Sequence, residues 1–377
     1  MTFATLVVLC LSPLILCDEE PQRGSVEAIE YLGQALLPGN ATLEGTRVGG
    51  LSGLAFDESK GIFLAISDDK GGPGMPAPRV YRLRIDLKDG KLSQGRVRVE
   101  SYLMLTRSDG MRVAEGSVDG EGIVLRSGEE IIISAEGIAG MDSGVPPSVD
   151  RFDARTGRFR RGMAVPQAYR PASNPKRGVR GNLGFESLTI TPSGRLVDTA
   201  TENALEQDGP SASAEEGSPC RILRFDAETG EPVAEYVYEA EPIVGKEGAR
   251  LAGLVELLAL DESRWLALER SYSTGTGFSI RLYEASIEGA TNVLGVEALS
   301  GREGVVPVSK RLLLDLGTIP GLIVSNLEGM AFGPLLSDDR RSLILVGYNN
   351  LNVLIPTQFL AFGVTLNSEP VLGRSSP

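Results

Sequence analysis

Apolar and polar residues along this chain form short paired runs. Leu51–Phe56 and Ile62–Ser67 are two apolar runs parted by DESKG, a stretch of turn formers, which predicts two strands of a tight hairpin. Val80–Leu87 then alternates apolar and charged residues, the period-two pattern of a half-buried strand. Asp89-Gly90 signals a turn, and Arg96–Leu105 predicts a fourth strand. The unit is four short strands joined by tight turns.

The same design recurs. GLSGLAFDESKGIFLAISDD at Gly50 is followed by DGEGIVLRSGEEIIISAEG at Asp119 and GFESLTITPSGRLVDTATEN at Gly184. GLVELLALDESRWLALERSY at Gly253 and SNLEGMAFGPLLSDDRRSLILVGYNN at Ser325 complete the series. Aligning Ser52, Glu121, Glu186, Val255 and Glu328 gives steps of 69, 65, 69 and 73 residues, room for four strands and their loops. RFDARTG at Arg151 and RFDAETG at Arg224 are near-identical third-strand ends, which supports duplication. The second unit is expected to end in a strand near Met163–Tyr169, and Glu288 to Val308 in the fourth to be a surface loop. The fifth unit runs out after three strands, while Val26–Leu37 is an apolar strand without a repeat of its own. The economical solution is that Val26–Leu37 completes the last sheet and closes the ring, which limits exposed strand edges. The expected fold is therefore all-β: a propeller of five four-stranded blades closed by the N-terminal strand, with six blades as the alternative.

Residues 1–17, MTFATLVVLCLSPLILC, carry no charged side chain, and Asp18, Glu19 and Glu20 end the apolar run. The run is short for a membrane span and fits a signal peptide, leaving 18–377 as one propeller domain. A lipid anchor at Cys17 or a retained membrane anchor is the alternative. The expected setting is secreted or periplasmic, with no membrane span in the mature chain. Only Cys220 would then remain, so no internal disulfide framework is expected and the core must supply stability. A net charge of −13 argues against nucleic acid or an anionic membrane as the main partner. Histidine is absent, which excludes a Ser-His-Asp triad, a Cys-His pair and His-ligated zinc. Chemistry must rest on carboxylates, Lys, Tyr, Ser, a metal or a cofactor.

Two positions per repeat carry that chemistry. The first precedes the first strand: Ser52, Glu121, Glu186, Val255 and Glu328. The second follows the second strand: Asp68, Glu136, Glu202, Glu269, and Tyr348 or Asn349. Antiparallel pairing puts the start of one strand beside the end of the next, so these acids are expected at one mouth of the central channel. Asp69, Asp119, Asn182, Asn203, Asn326 and Asn350 would add oxygens nearby. So many like charges need protons, Arg or Lys partners, or a cation, and oxygen ligands of this kind suit Ca²⁺ or Mg²⁺. Arg270, Arg180, Arg177 and Lys70 lie close in sequence and would pair with the acids or hold an anionic substrate. The plainer reading is that the glutamates cap neighbouring strands and perform no reaction. Gly71-Gly72-Pro73-Gly74 reads as a mobile loop, Trp265 as core, and Asn40-Ala41-Thr42 fits a glycosylation acceptor.

DGEGI at Asp119, GNLGFESLTITPSG at Gly181, ALERSY at Ala267, NLEGMAFGPLLSDDRRSLILVGYNN at Asn326 and PTQFLAF at Pro356 resemble the phytase-like domain family, described by its esterase-like activity of phytase. The likeness covers most of the chain after about Leu51 and is most specific in the C-terminal block. It implies a β-propeller, a secreted setting and a phosphoester substrate. On this resemblance the family's acidic pattern falls on Glu121, Glu186, Glu202, Glu269 and Glu328, while Tyr348 stands where an acidic residue is usual. The implied enzyme is a divalent-cation-dependent phosphoesterase. Its metal ligands would come from Glu121, Glu186, Glu202, Glu328, Glu136 and Asp68. Glu269 would act as base, Arg270 as phosphate contact, and Arg180, Arg177 and Asn182 as substrate contacts. The alternative is a non-catalytic extracytoplasmic propeller that binds a ligand or protein, with a structural acidic ring. A monomer is expected.

Overall fold

The structure, a computed structural model, describes residues 24–70, 78–113, 118–137, 145–174, 176–245 and 247–367. The expected signal segment, Cys17 and the Gly71–Gly74 loop lie outside these residues. Five four-stranded antiparallel sheets make up the fold. From the axis outward, blade one is Leu51–Asp57, Ile62–Ser67, Arg79–Ile85 and Val97–Met104. Blade two is Gly120–Arg126, Glu130–Ala135, Ser148–Asp153 and Phe159–Gly162. Blade three is Phe185–Ile190, Leu196–Thr201, Ser218–Asp226 and Pro232–Ala240. Blade four is Ala249–Ala259, Arg264–Ser273, Gly277–Ser286 and Ser309–Asp315. Blade five is Leu327–Leu335, Arg341–Gly347 and Thr357–Leu366, and its outer strand is the N-terminal Val26–Leu37. That strand pairs antiparallel from Val26 opposite Leu366 to Leu37 opposite Thr357, closing the ring as expected. The innermost strands touch in cyclic order, and blade five returns to blade one.

The inner two strands of each blade are largely buried on both faces where blades stack, and the core divides accordingly into five clusters. Each cluster fills one interface between neighbouring blades. Phe63 and Tyr81 of blade one meet Ile344 and Phe359 of blade five, for example. Trp265 of blade four meets Ile222 and Tyr238 of blade three. The buried Arg224 binds Asp198 through two nitrogens, at 2.7 and 2.9 Å, and the Trp265 indole N–H donates to the same carboxylate at 2.8 Å. The buried charge of Arg224 is thereby paired and hydrogen-bonded.

The duplicated DARTG and DAETG segments form the same turn. Asp153 Oδ1 accepts from the Thr156 N–H at 2.8 Å, and Asp226 Oδ1 from the Thr229 N–H at 2.8 Å. Gly157 and Gly230 follow with φ of +69° and +80°, a conformation that favours glycine.

One expectation is corrected. The outer strand of blade two is Phe159–Gly162, not Met163–Tyr169. Pro166 has no N–H for a ladder, and the chain turns inward as a 3₁₀ turn at Gln167–Tyr169 that buries Tyr169. Phe159 instead packs edge-on against Phe152, with ring centroids 5.8 Å apart. The 288–308 insertion is a surface loop, as expected, and it is anchored at two points. Val293 and Val308 are buried, and their N–H groups donate to Glu235 O at 2.8 Å and Val237 O at 2.9 Å. The insertion thereby covers the outer edge of blade three.

Candidate active site at the acidic mouth

One irregularity repeats in all five innermost strands. The register against the second strand slips at Ser52, at Glu121–Gly122, at Glu186, at Val255 and at Glu328. A bulge adds one residue and re-aims its side chain. The first chemistry position of the sequence is therefore a bulge in every blade, and three of its five residues are glutamates. Ser52 donates to Gly120 O at 2.9 Å, and Val255 is buried and apolar.

The second ring is built by position on the ladder. Asp68, Glu136, Glu202 and Tyr348 each donate a backbone N–H to the residue two places before the bulge: Gly50 O, Asp119 O, Gly184 O and Asn326 O. In blade four the residue two places before the bulge is Gly253, and it faces Arg270 rather than Glu269. A one-residue slip moves a side chain to the other face. Arg270 thus joins the mouth, and Glu269 points away between blades three and four. There its carboxylate accepts from Tyr238 Oη at 2.8 Å, Lys310 Nζ at 2.6 Å and Glu241 N at 2.9 Å.

Glu121, Glu186, Glu202, Glu328, Glu136 and Asp68 do converge, and the cluster has two halves. On the side of blades three to five, Arg270 is the centre. Its Nη2 donates to Glu202 at 2.6 Å, and its Nη1 to Asn326 Oδ1 at 2.9 Å and to Glu328. Asn326 Nδ2 adds a bond to Glu328 at 2.7 Å. Arg270 thus ties together one acid of blade three and one of blade five. On the side of blades one and two, Asp68, Asp119 and Glu121 each offer an oxygen within 4.8 Å of the others. Lys70, 44% exposed in its side chain, pairs with Asp119 from the solvent side. One oxygen each of Asp68 and Asp119 is buried without a hydrogen-bond partner.

Burial and crowding hold protons in this cluster. Burial lifts Asp68 to about 7 despite the Tyr348 hydroxyl beside it, with the Asp119 charge adding to the lift. Burial and then the Asp119 charge raise Glu136 to about 8. Burial raises Glu328 to about 7 although Arg270 opposes it. Glu121 and Glu186 are pushed well above 4.5 by burial and by neighbouring carboxylates. A cation would replace those protons. Two ligands of one Ca²⁺ at about 2.3–2.6 Å stand at most roughly 5 Å apart. The Asp68–Asp119–Glu121 oxygens meet that limit, and they are the hard donors such an ion takes.

The basic stretch before blade three does not join the cluster. Arg180 is used up on the 204–209 loop, donating to Ala204 O at 3.0 Å, to Gly209 O, and pairing with Glu206 at 2.7 Å. Arg177 sits in a short hairpin opposite Ala172, and its Nε is buried without a partner. Asn182 is exposed with φ of +57°.

One residue of the axis was not singled out by sequence. Glu256 follows the blade-four bulge and is fully buried. Its Oε1 accepts from Leu188 N of blade three at 3.2 Å and Leu257 N at 2.9 Å, and its carboxyl also takes Met330 N of blade five. It thus crosses the channel and forms a floor under the acids. The signal was present: the corresponding residues of the other blades are Gly53, Gly122, Ser187 and Gly329. Small residues are needed there because the inner strands nearly touch. A Cβ on Gly329 would lie 2.5 Å from Ser52 O, and one on Gly53 2.4 Å from Glu121 O.

A profile of the phytase-like family, described as esterase-like activity of phytase, matches residues 46–351. No curated protein matches the chain. Among solved structures, the chain is similar to an oxidoreductase from Thermus thermophilus titled glucose dehydrogenase, at 14% identity over 84% of this chain and 98% of that one, with a TM-score of 0.37. It is also similar to the periplasmic gluconolactonase of Pseudomonas aeruginosa, at 12% identity over 91% and 100%, with a TM-score of 0.35. A GH43_1 enzyme from Xanthomonas citri complexed with xylose matches at 10% identity over 91% and 95%, with a TM-score of 0.44. With TM-scores below 0.5, these likenesses say nothing about this chain's chemistry.

Proposed function

The chain belongs to the phytase-like family, and from that premise we propose that it is a divalent-cation-dependent phosphoesterase working at the acidic mouth. The observation that carries this reading is the trio Asp68, Asp119 and Glu121, close enough to share one ion and holding two buried oxygens without partners. A bound Ca²⁺ or Mg²⁺ would neutralise the phosphoryl oxygens and acidify a water.

The chain's own residues supply the rest. Lys70 stands at the solvent side of Asp119, where its ammonium meets an incoming phosphate. Glu186 neighbours Glu121, and once a bound cation has displaced its proton its carboxylate would take one from water and return it to the leaving oxygen. Arg270 fixes Glu202 and Glu328 and so holds the opposite wall. Glu269, with its carboxylate already bonded to three donors, is not assigned a part.

A non-catalytic binding propeller is the second reading, favoured by the self-satisfied Glu202–Arg270–Glu328–Asn326 network. Under either reading the protein acts outside the cytoplasm as a monomer on a small anionic ligand. The apolar 1–17 segment supports the location. Among the described residues no helix is long and apolar enough to cross a membrane.

The test is hydrolysis of phosphomonoesters and phosphodiesters with Ca²⁺, Mg²⁺ or EDTA, beside Asp119→Asn and Glu186→Gln. The expected result is turnover that EDTA abolishes, and a loss of about 10²-fold or more in each variant. Turnover unchanged by EDTA would remove the cation from the reaction. Absence of turnover together with a cation-induced rise in melting temperature would select the binding propeller.

A further inference from the structure

Below the Glu256 floor the channel opens into a cavity of about 440 Å³ that the acidic chemistry does not use. This volume lies within the span of small-molecule sites. Its wall is built by all five blades. Phe56, Leu125, Ile190, Leu258 and Phe332, one per blade, are half-buried and ring its open end. Leu54, Ile123, Leu188 and Met330 form the deeper layer against the floor. Acidic side chains line the upper chamber and mostly apolar side chains this one, although the same five strands line both.

Among the described residues, two charged ones line the cavity, Glu58 and Arg341. Glu58 is exposed on the first turn of blade one. Arg341 opens the second strand of blade five, and its guanidinium lies over the Phe332 ring at 4.5 Å. Among the described residues that guanidinium makes no hydrogen bond and no ion pair. An arginine parked on the aromatic rim of an apolar cavity, with its donors free, is complementary to an anionic head carried on an apolar body.

We propose that the lower channel is a second ligand site, taking one small amphipathic carboxylate. The apolar body enters the ring of five side chains, and the carboxylate binds Arg341 at the rim. Burying a chain of methylenes there drives binding, and Arg341 sets the sign of the head group. The site is separate from the acidic mouth, because the Glu256 carboxyl and the close-packed backbone around it stand between them.

The experiment is isothermal titration of the full chain with octanoate, octylamine and octanol. Arg341→Gln, Glu58→Gln and Leu125→Trp are the variants. Octanoate is expected to bind saturably at one site per chain, more tightly than octanol, and octylamine to fail. Arg341→Gln should weaken octanoate by about tenfold, the worth of one hydrogen bond to a charged group. Glu58→Gln should leave octanoate binding intact or tighten it, and Leu125→Trp should fill the ring and abolish it. No saturable octanoate binding to the wild type would overturn the proposal, and so would equal affinity for octanoate and octylamine. Unchanged octanoate affinity in a folded Arg341→Gln would overturn the assignment of the head group. If Leu125→Trp fails to fold, the ligand series and Arg341→Gln still decide.

Discussion

Glu256 offers the sharpest test of the axis. It is buried between blades three, four and five and accepts three backbone N–H groups, yet no cation neutralises it. Burial raises its titration well above 4.5 in the fold. The unfolded chain sheds the same proton near the ordinary glutamate value. The folded state therefore holds more protons between the two values, and stability falls as pH rises through that window. The slope is about 1.4 kcal/mol per pH unit for one proton. Glu256→Gln keeps an acceptor for the N–H groups and carries no titrating proton. Its stability relative to wild type should climb by about 1.4 kcal/mol per pH unit between the unfolded and folded titrations of Glu256 and level off above the folded one. Urea unfolding of both proteins at pH 4.5, 5.5, 6.5 and 7.5 reads this directly, because every other titrating group cancels in the difference. Glu256→Leu is the control. It orphans the N–H groups of Leu188, Leu257 and Met330 and should lose about 1–3 kcal/mol for each one left unpaired, at every pH. A difference between Gln and Glu that stays flat from pH 5.5 to 7.5 would refute a protonated floor, because it would mean that Glu256 is ionised in the fold.

Three other outcomes are expected. Gly329→Ala would place a Cβ 2.5 Å from Ser52 O and 2.9 Å from the Gly53 Cα, both backbone of the next blade, so urea unfolding should show a loss of about 2 kcal/mol or more. Deleting residues 1–37 removes the closing strand and bares the edge of Thr357–Leu366. Size exclusion and circular dichroism should find aggregated chain without a cooperative melt, restored in part by a Val26–Leu37 peptide. In the mouth, Asp68 and Glu328 titrate at about 7 and Glu136 at about 8, all raised above their unfolded values. Their contribution is complete below about pH 4 and is lost as pH rises through 7 to 8. Calorimetry without divalent cations should show the melting temperature falling from pH 5 to 8.5. Ca²⁺ at a hundred times its Kd should return about 2.7 kcal/mol at the upper end.

The sequence made the ring legible because each blade buries both faces of its inner strands. The apolar pairs Leu51–Phe56 with Ile62–Ser67 and Ser187–Thr191 with Arg195–Ala200 therefore stand out at a regular step. Val26–Leu37 was legible as the missing strand because the fifth unit ends one strand short and this segment has no repeat of its own. Blade two misled at its outer edge, where Phe159–Gly162 has one apolar residue and three exposed ones, while the more apolar stretch beyond it is broken by Pro166. The acids were legible as a set. Their directions were not, because direction depends on ladder register. Matching ALERSY to its counterparts by acidity put Glu269 on the axis, and the hydrogen-bonded register puts Arg270 there.

The bulges explain both the success and the failure. In a regular strand, alternation would give the channel every second residue and leave successive acids on opposite faces. One extra residue at the same level in all five inner strands breaks the alternation where the mouth needs it, so residues from both sides of each hairpin face the axis together. The price is a level at which strands crowd, and Gly53, Gly122, Ser187 and Gly329 relieve it. Blade four departs from this pattern twice, with Val255 in the bulge and Glu256 after it, and it also brings Arg270 to the second ring. Those departures divide the channel. Arg270 bridges Glu202 of blade three and Glu328 of blade five, and Glu256 closes the axis beneath them. The uncompensated oxygens are left on Asp68 and Asp119, at blades one and two, which is where a cation has reason to bind.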